Sequence, residues 1–238
     1  MKRLVLGALA VCGKDLGALV RSPSALVAAI ASLVGVGVPV LFANQPRFSD
    51  YWAAIPAAMT VIAPALTMGV WADERKAGTE SFLLAAPVPE LSLSLGKFLA
   101  VYAVYLSSIA LTLVIPLSFS ALVPVEPGIL VSTLLGLALF GATALSLGQL
   151  ISGFARGSLV PFLATAALIA VLVSAHLVPR AISLPGLLER ALVSVSFAWR
   201  FASFARGVVD VADVAFFALS AAAMVLLDAA RLSSRRWA

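Results

Sequence analysis

The residues able to do charge chemistry crowd into one stretch. From Trp71 to Lys97 the chain reads WADERKAGTESFLLAAPVPELSLSLGK and holds Asp73, Glu74, Arg75, Lys76, Glu80, Glu90 and Lys97. Long charge-free segments lie on both sides. The chemistry open to such a group is electrostatic: charged flanks seated on a partner, or a solvated turn. Covalent catalysis finds little to work with. No Gly-x-Ser-x-Gly elbow, His-Glu-x-x-His pair or phosphate-cradling Gly-Lys-Ser/Thr motif occurs. Cys12 is the only cysteine, which excludes an intrachain disulfide and a multi-cysteine metal site. His176 is the only histidine, which excludes paired-histidine sites; near a helix end, it reads as an interfacial side chain.

The elements that must position this stretch are set by composition. Of 238 residues, 62% are hydrophobic and 11% charged, with a mean hydropathy of +1.10. A soluble chain carries about 25% charged residues. The chain therefore reads as all-α and polytopic in a membrane, a single domain over 1–238. Its formal charge of +5 fits basic residues held on the cytoplasmic side. No basic run is interleaved with aromatics as a nucleic-acid face would need.

Residues 1–21 place Arg3, Lys14 and Arg21 on one helical stripe, with Val5, Leu9, Cys12, Leu16 and Leu19 broadly opposite. That is the pattern of a helix lying in the interface. No convincing cleavage site follows, so this segment is expected to be retained. About 20 apolar residues cross the hydrocarbon core, and six segments qualify: 22–46, 51–72, 98–125, 127–155, 158–179 and 214–230. In the second, Tyr51 and Trp52 suit one membrane interface and Trp71 the other, and Pro56 and Pro64 lie inside and are expected to bend it. The third helix has an optional earlier start near Glu90, since Pro89 can occupy a first helical position. Pro39 and Pro116 fall late in the first and third segments. Short loops are expected at 44–51, with Arg47 and Asp50, and at 123–128, with Glu126. In the fourth segment Ala144, Gly148 and Ser152 recur at four-residue spacing, which permits close helix approach, and Gln149 should face protein. Residues 180–213 have no charge-free stretch long enough to cross. Glu189, Ser196, Arg200 and Ser203 share one helical face while Phe197, Phe201 and Phe204 fall elsewhere, so this part reads as an interfacial or re-entrant helical pair. Asp213 is the expected N-cap of the last span.

Six spans put both termini on one side. With that side cytoplasmic, it holds Lys2, Arg3, Lys14, Arg21, Arg75, Lys76, Lys97, Arg156, Arg231, Arg235 and Arg236. Arg47, Arg180, Arg190, Arg200 and Arg206 fall opposite. The bias follows the positive-inside rule. Carboxylates at hydrocarbon depth are few. Asp228 is the best candidate and lies at a helix end, which favours energy delivered from outside the bilayer, by a partner.

At 71–100 the residues carry a family pattern. Glu74-Arg75-Lys76-Ala77-Gly78-Thr79-Glu80, then Leu83-Leu84, Pro87-Val88 and Leu95-Gly96-Lys97-Phe98-Leu99-Ala100, resemble the permeases of ABC-2-type transporters, most of all the gliding-motility-associated GldF-like branch. A second patch, FASFARGVVDVADVAFF at 201–217, also looks like that branch. The nitrous-oxide-reductase maturation permeases share the first pattern. The resemblance covers nearly the whole chain in span order. It implies six membrane helices with an N-terminal interfacial helix, a cytoplasmic coupling helix in the elbow 73–97 between spans two and three, and short extracytoplasmic helices before span six. It implies a non-catalytic subunit of the bacterial cytoplasmic (inner) membrane, with no cofactor of its own. Its partners would be two cassette ATPase subunits that bind the ATP, a second permease copy or paralogue, membrane lipid, and room for an extracytoplasmic auxiliary protein. Carried over, the ATPase-coupling residues are Glu74, Arg75, Gly78, Thr79, Glu80 and Pro87. Their chemistry suits a short lever: Gly78 can end a helix in the left-handed conformation, Thr79 can cap the next, Glu80 suits its N-terminal dipole, and Pro87 bounds it. Two other readings stay open. A lipid-modifying membrane enzyme would need a nucleophile or metal cluster. An anchor or mechanotransmitter on the same fold would move lipid or protein and no solute.

Overall fold

The computed structural model describes residues 2–42, 52, 54–85, 87–118, 126–181 and 185–236. The expected loop 44–51 with Arg47, Asp50 and Tyr51, the segment 119–125 and residues 182–184 lie outside it. So do the side chains of Lys2, Arg3, Pro39, Pro116, Arg180 and Arg236. The described residues are helical, with no strand among them.

The first helix, α1 (Lys2–Val20), meets α2 (Pro23–Phe42) at a sharp corner: Leu4–Val20 and Pro23–Val38 are bent by 73°. Pro23 opens α2, where its missing N–H has no helical partner to lose. Next come α3 (Ile55–Thr67), α4 (Ala72–Ala77), α5 (Glu80–Ala85) and α6 (Glu90–Thr112). After a break at Leu113, α7 (Val114–Ser118) follows, then α8 (Pro127–Ser152) and α9 (Leu159–Ser174). A 3-10 turn, Ala175–Leu177, leads into α10 (Val178–Ala181); α11 (Gly186–Val195), α12 (Phe197–Ala205) and α13 (Val211–Arg236) complete the chain. Among the described residues five helical stretches are long and apolar enough to cross a membrane: Ile55–Ala77, Glu90–Thr112, Pro127–Ser152, Leu159–Leu177 and Val211–Arg235. The bent α1–α2 pair makes a sixth if it counts as one.

Helix α8 is the hub, touching α3, α6, α9, α12 and α13. Small residues make this possible. Gly148 lies so close to Thr67 and Thr165 that a Cβ there would collide with the Thr67 side chain. Ser152, one turn on, accepts from the N–H groups of Trp71 and Ala72, both at 3.2 Å, and donates to the Met68 carbonyl at 3.0 Å. The recurrence of small residues in the sequence thus marks a real helix contact. Gln149 faces protein, as expected, and is buried.

Several boundaries shift. The third long helix begins at Glu90, not at 98, because Lys97 is buried and paired and does not end it. The last helix spans 26 residues, longer than the 214–230 expected, because its terminal charges find partners within the bundle. Asp213 is not its cap. Asp210 accepts the Ala212 N–H at 2.9 Å and so starts the helix, while Asp213 lies in the first turn and pairs with Arg200 at 2.6 Å. Pro56 stands in the first turn of α3, where it breaks no helical bond; Pro64 alone is interior. Trp52 and Trp71 are fully buried within the bundle. Trp71 has a buried acceptor for its ring N–H, which removes the usual reason for an indole to stay at the water boundary.

Residues 186–205 form two short helices, as the spacing of their Phe residues indicates. Ser196 caps α12 by accepting the Trp199 N–H at 3.4 Å. Phe197, Phe201 and Phe204, on one stripe, are buried and pack with Phe140 and Phe217.

Candidate functional site

The charged stretch folds into two six-residue helices joined at a tight turn. Gly78 has φ of 72°, a left-handed conformation costly for any side chain with a Cβ. Its N–H donates to Arg75 O at 3.3 Å, and the Thr79 N–H reaches back to Glu74 O at 2.9 Å. This pair of bonds closes the carbonyl end of α4. The Thr79 hydroxyl also donates to Glu74 O, at 3.2 Å. Thr79 stands at the expected position before α5, its carbonyl accepting the Leu83 N–H at 3.3 Å, but its hydroxyl serves the end of α4 instead of capping α5.

Across the turn, Arg75 holds Glu80 with two parallel bonds, Nε to Oε2 at 3.0 Å and Nη2 to Oε1 at 3.2 Å. Bidentate pairing of this kind fixes orientation as well as distance. It sets the angle between α4 and α5. Arg235, from the end of α13, lies 3.5 Å from Glu80 Oε2. Burial pushes the Glu80 carboxyl up, but the Arg75 hydrogen bonds and the charges of Arg75, Arg235 and Arg231 outweigh it. The net effect holds the group below the usual carboxylate range.

Lys97 joins α4 to α1. Its ammonium lies 2.9 Å from Glu74 Oε1 and 3.0 Å from Asp15 Oδ2, and donates to Val70 O at 3.0 Å. It also sits 4.7 Å from the Trp71 ring centroid. With its three N–H groups taken, a side chain only 3% exposed can remain charged. Lys14 adds an outer contact to Glu74 at 3.2 Å.

A third layer lies deeper. Asp228, fully buried on α13, accepts from the Trp71 ring N–H at 3.0 Å, Ser94 Oγ at 2.8 Å and Gln149 Nε2 at 2.9 Å. Its other oxygen lies 3.0 Å from Arg231 Nη2. The Arg231 guanidinium stacks between Trp71 and Phe154, 5.1 and 5.8 Å from their centroids. One carboxylate thus draws together Trp71, which leads into α4, and residues of α6, α8 and α13.

The six residues named from the sequence divide into two sets. Glu74, Arg75 and Glu80 are engaged in ion pairs within the chain. Gly78, Thr79 and Pro87 are exposed. Beside them stands a residue the sequence reading passed over: Phe82, on α5, is 78% exposed. Asp228 drew notice only as a helix-end carboxylate, and its partners Trp71, Ser94 and Gln149 were not connected with it. The one readable sign was the Asp228–Arg231 spacing, which puts opposite charges on one helix face. No group of three or more His, Cys, Asp or Glu among the described residues is placed to hold a metal. The arrangement can transmit force: α4 and α5 are locked to each other and to α1, α6 and α13. No family model, curated protein or solved structure matches the chain.

Proposed function

We propose that the chain is the membrane-spanning permease subunit of an ATP-driven transporter of the ABC-2 type, working in export from the bacterial cytoplasmic membrane. In this reading α1 lies in the cytoplasmic interface and six spans follow: α2, α3, α6 with α7, α8, α9 and α13, with α4 and α5 in the cytoplasmic elbow between the second and third. Both termini are cytoplasmic, and α11 and α12 sit on the far side. The chain carries no catalytic group. Two cassette ATPase subunits bind and hydrolyse the ATP, and a second permease copy or paralogue completes the assembly. The apolar interior, with Tyr105, Phe140 and Phe217 at its centre, favours an amphiphilic substrate over a small polar ion.

The observation that carries the reading is the α4–α5 element. Its inner face is braced by Arg75–Glu80, Glu74–Lys97 and Glu80–Arg235. Its outer face presents Lys76, Ser81 and Phe82, all exposed. A rigid element with an uncovered aromatic ring at its tip suits insertion into a groove of another subunit, since buried aromatic anchors dominate such contacts. A coupling lever needs both properties.

The test is copurification. The full chain, isolated from its own membrane, should bring down a cassette ATPase whose activity depends on the permease. Phe82→Glu should release the ATPase and leave the permease's thermal melting unchanged. A permease that purifies without any ATPase partner, or binds one equally well as Phe82→Glu, overturns the reading.

A further inference from the structure

A cavity of about 360 Å³ opens beside the braced element, at the corner between α1 and α2. Its volume is in the range of small-ligand sites. Its walls are apolar: Leu19, Pro23, Leu66, Met68 and Val101. Its polar end is formed by Asp15, Asp73, Glu74 and Lys97. An occupant must therefore be amphiphilic, with a hydrocarbon part along the walls and a polar head among the charges.

The charges decide the head. Lys97 is already satisfied by Asp15, Glu74 and the Val70 carbonyl. Lys97 and Lys14 both pair with Asp15 and Glu74, which leaves the Asp73 charge uncompensated and the polar end negative. Asp73 is the free member: its carboxylate has no ion-pair or hydrogen-bond partner among the described residues. It lies folded over Gly69, where any Cβ would collide with it. Gly69 thus leaves room for the Asp73 carboxylate to lie against the backbone at the cavity's edge. Among the described residues no aromatic ring lines the cavity, so they build no cage of the kind by which proteins hold quaternary ammonium groups. A primary ammonium, with N–H donors to give to Asp73, fits instead.

We infer that this cavity binds a membrane lipid with a primary ammonium headgroup, its ammonium on Asp73 and its chain against Leu19, Leu66 and Val101. The inference needs only that the chain sits in a membrane. It does not depend on the ATPase partnership. Because α1 leans on α6 and the cavity lies under the corner, an occupying lipid ties α1 to the end of α3 next to the α4–α5 element.

The test is native mass spectrometry of the full chain in detergent, with phosphatidylethanolamine, phosphatidylcholine and phosphatidylglycerol offered in equal amounts. Wild type should retain phosphatidylethanolamine about tenfold over the other two. Asp73→Asn should erase that preference and Asp73→Glu should keep it. Ala18→Trp, on an exposed cavity-lining residue, should block retention without disturbing the core. Equal retention of the three lipids by wild type overturns the assignment, as does a preference that survives both Asp73→Asn and Ala18→Trp. Free ethanolamine competing as well as the lipid would also overturn it, by showing that the walls contribute nothing. None of these readouts involves an ATPase, so failure here is separate from failure of the transporter reading.

Discussion

Around α4 and α5 the contacts between helices are ionic: Lys97 with Asp15 and Glu74, Arg75 with Glu80, Arg235 with Glu80. Around α12 they are aromatic: Phe140, Phe197, Phe201, Phe204 and Phe217 stack edge and face within 5.5 to 6.4 Å. Helix α13 connects the two regions, since Phe217 stands near its start and Asp228 to Arg235 near its finish. At about 1.5 Å per residue the helix carries them about 17 to 27 Å apart. In the aromatic region one ion pair, Arg200–Asp213, sits over the Phe216 ring and backs the cluster. The difference shows two ways to hold helices in an apolar chain. Ring packing is tolerant of direction and tied to contact area. Bidentate and multiply bonded charges are directional, so they hold short helices such as α4 and α5 at a set angle.

That contrast can be broken experimentally. The largest effect should come from Asp228→Ala. It leaves the Arg231 guanidinium buried without its carboxylate, and loss of one buried partner costs about 3–5 kcal/mol. Thermal melting of the purified chain should show it; an unchanged midpoint would mean that the buried network is not a brace. Phe140→Ala, in the aromatic region, should cost about 3–4 kcal/mol through the cavity it opens. Its loss should leave hydrogen exchange in α4 and α5 close to wild type, whereas Asp228→Ala should raise it. If both variants loosen α4 and α5 equally, the two regions are not separate units.

A smaller effect is expected at the turn. Gly78→Ala places a Cβ at φ of 72° and should cost about 1–2 kcal/mol, with greater loss of coupled ATPase activity in the assembled complex than of melting temperature. The smallest is Glu80→Gln, at about 1 kcal/mol. Its pH dependence sharpens the point. The folded-state carboxyl is held below its ordinary value, so its contribution is present above the unfolded value of about 4.3. It is lost as pH falls through the depressed folded value. The melting difference between wild type and Glu80→Gln should be steady from neutral pH down to about 4.3 and shrink below it. A difference that grows on acidification would contradict the Arg75 brace.

Much of this was open to reading before any coordinates. Composition points to long apolar helices, and five stretches among the described residues are long and apolar enough to cross a membrane, where a helix satisfies its own backbone hydrogen bonds. Gly78 and Pro89 punctuate the chain where helices end and begin, since their backbone limits act locally. The period of Phe197, Phe201 and Phe204 shows one buried helix face. Ala144, Gly148 and Ser152 announce a close helix contact without naming its partner.

What local rules could not supply is who meets whom. Lys97 looked like the edge of a span because a charge alone is costly in lipid. It is interior because Asp15, from 82 positions earlier, and Glu74 arrive to neutralise it. Trp52 and Trp71 suit a headgroup boundary by type, but that both rings are closed over by packing is set by their neighbours in the bundle. The Asp228 site draws on Trp71, Ser94, Gln149 and Arg231, with Trp71 lying 157 positions away in the chain. Composition and spacing act over a turn or two of helix, and they set which segments are helical and where those segments stop. Partner choice for a buried charge depends on which helices pack side by side, and that is a property of the assembled bundle.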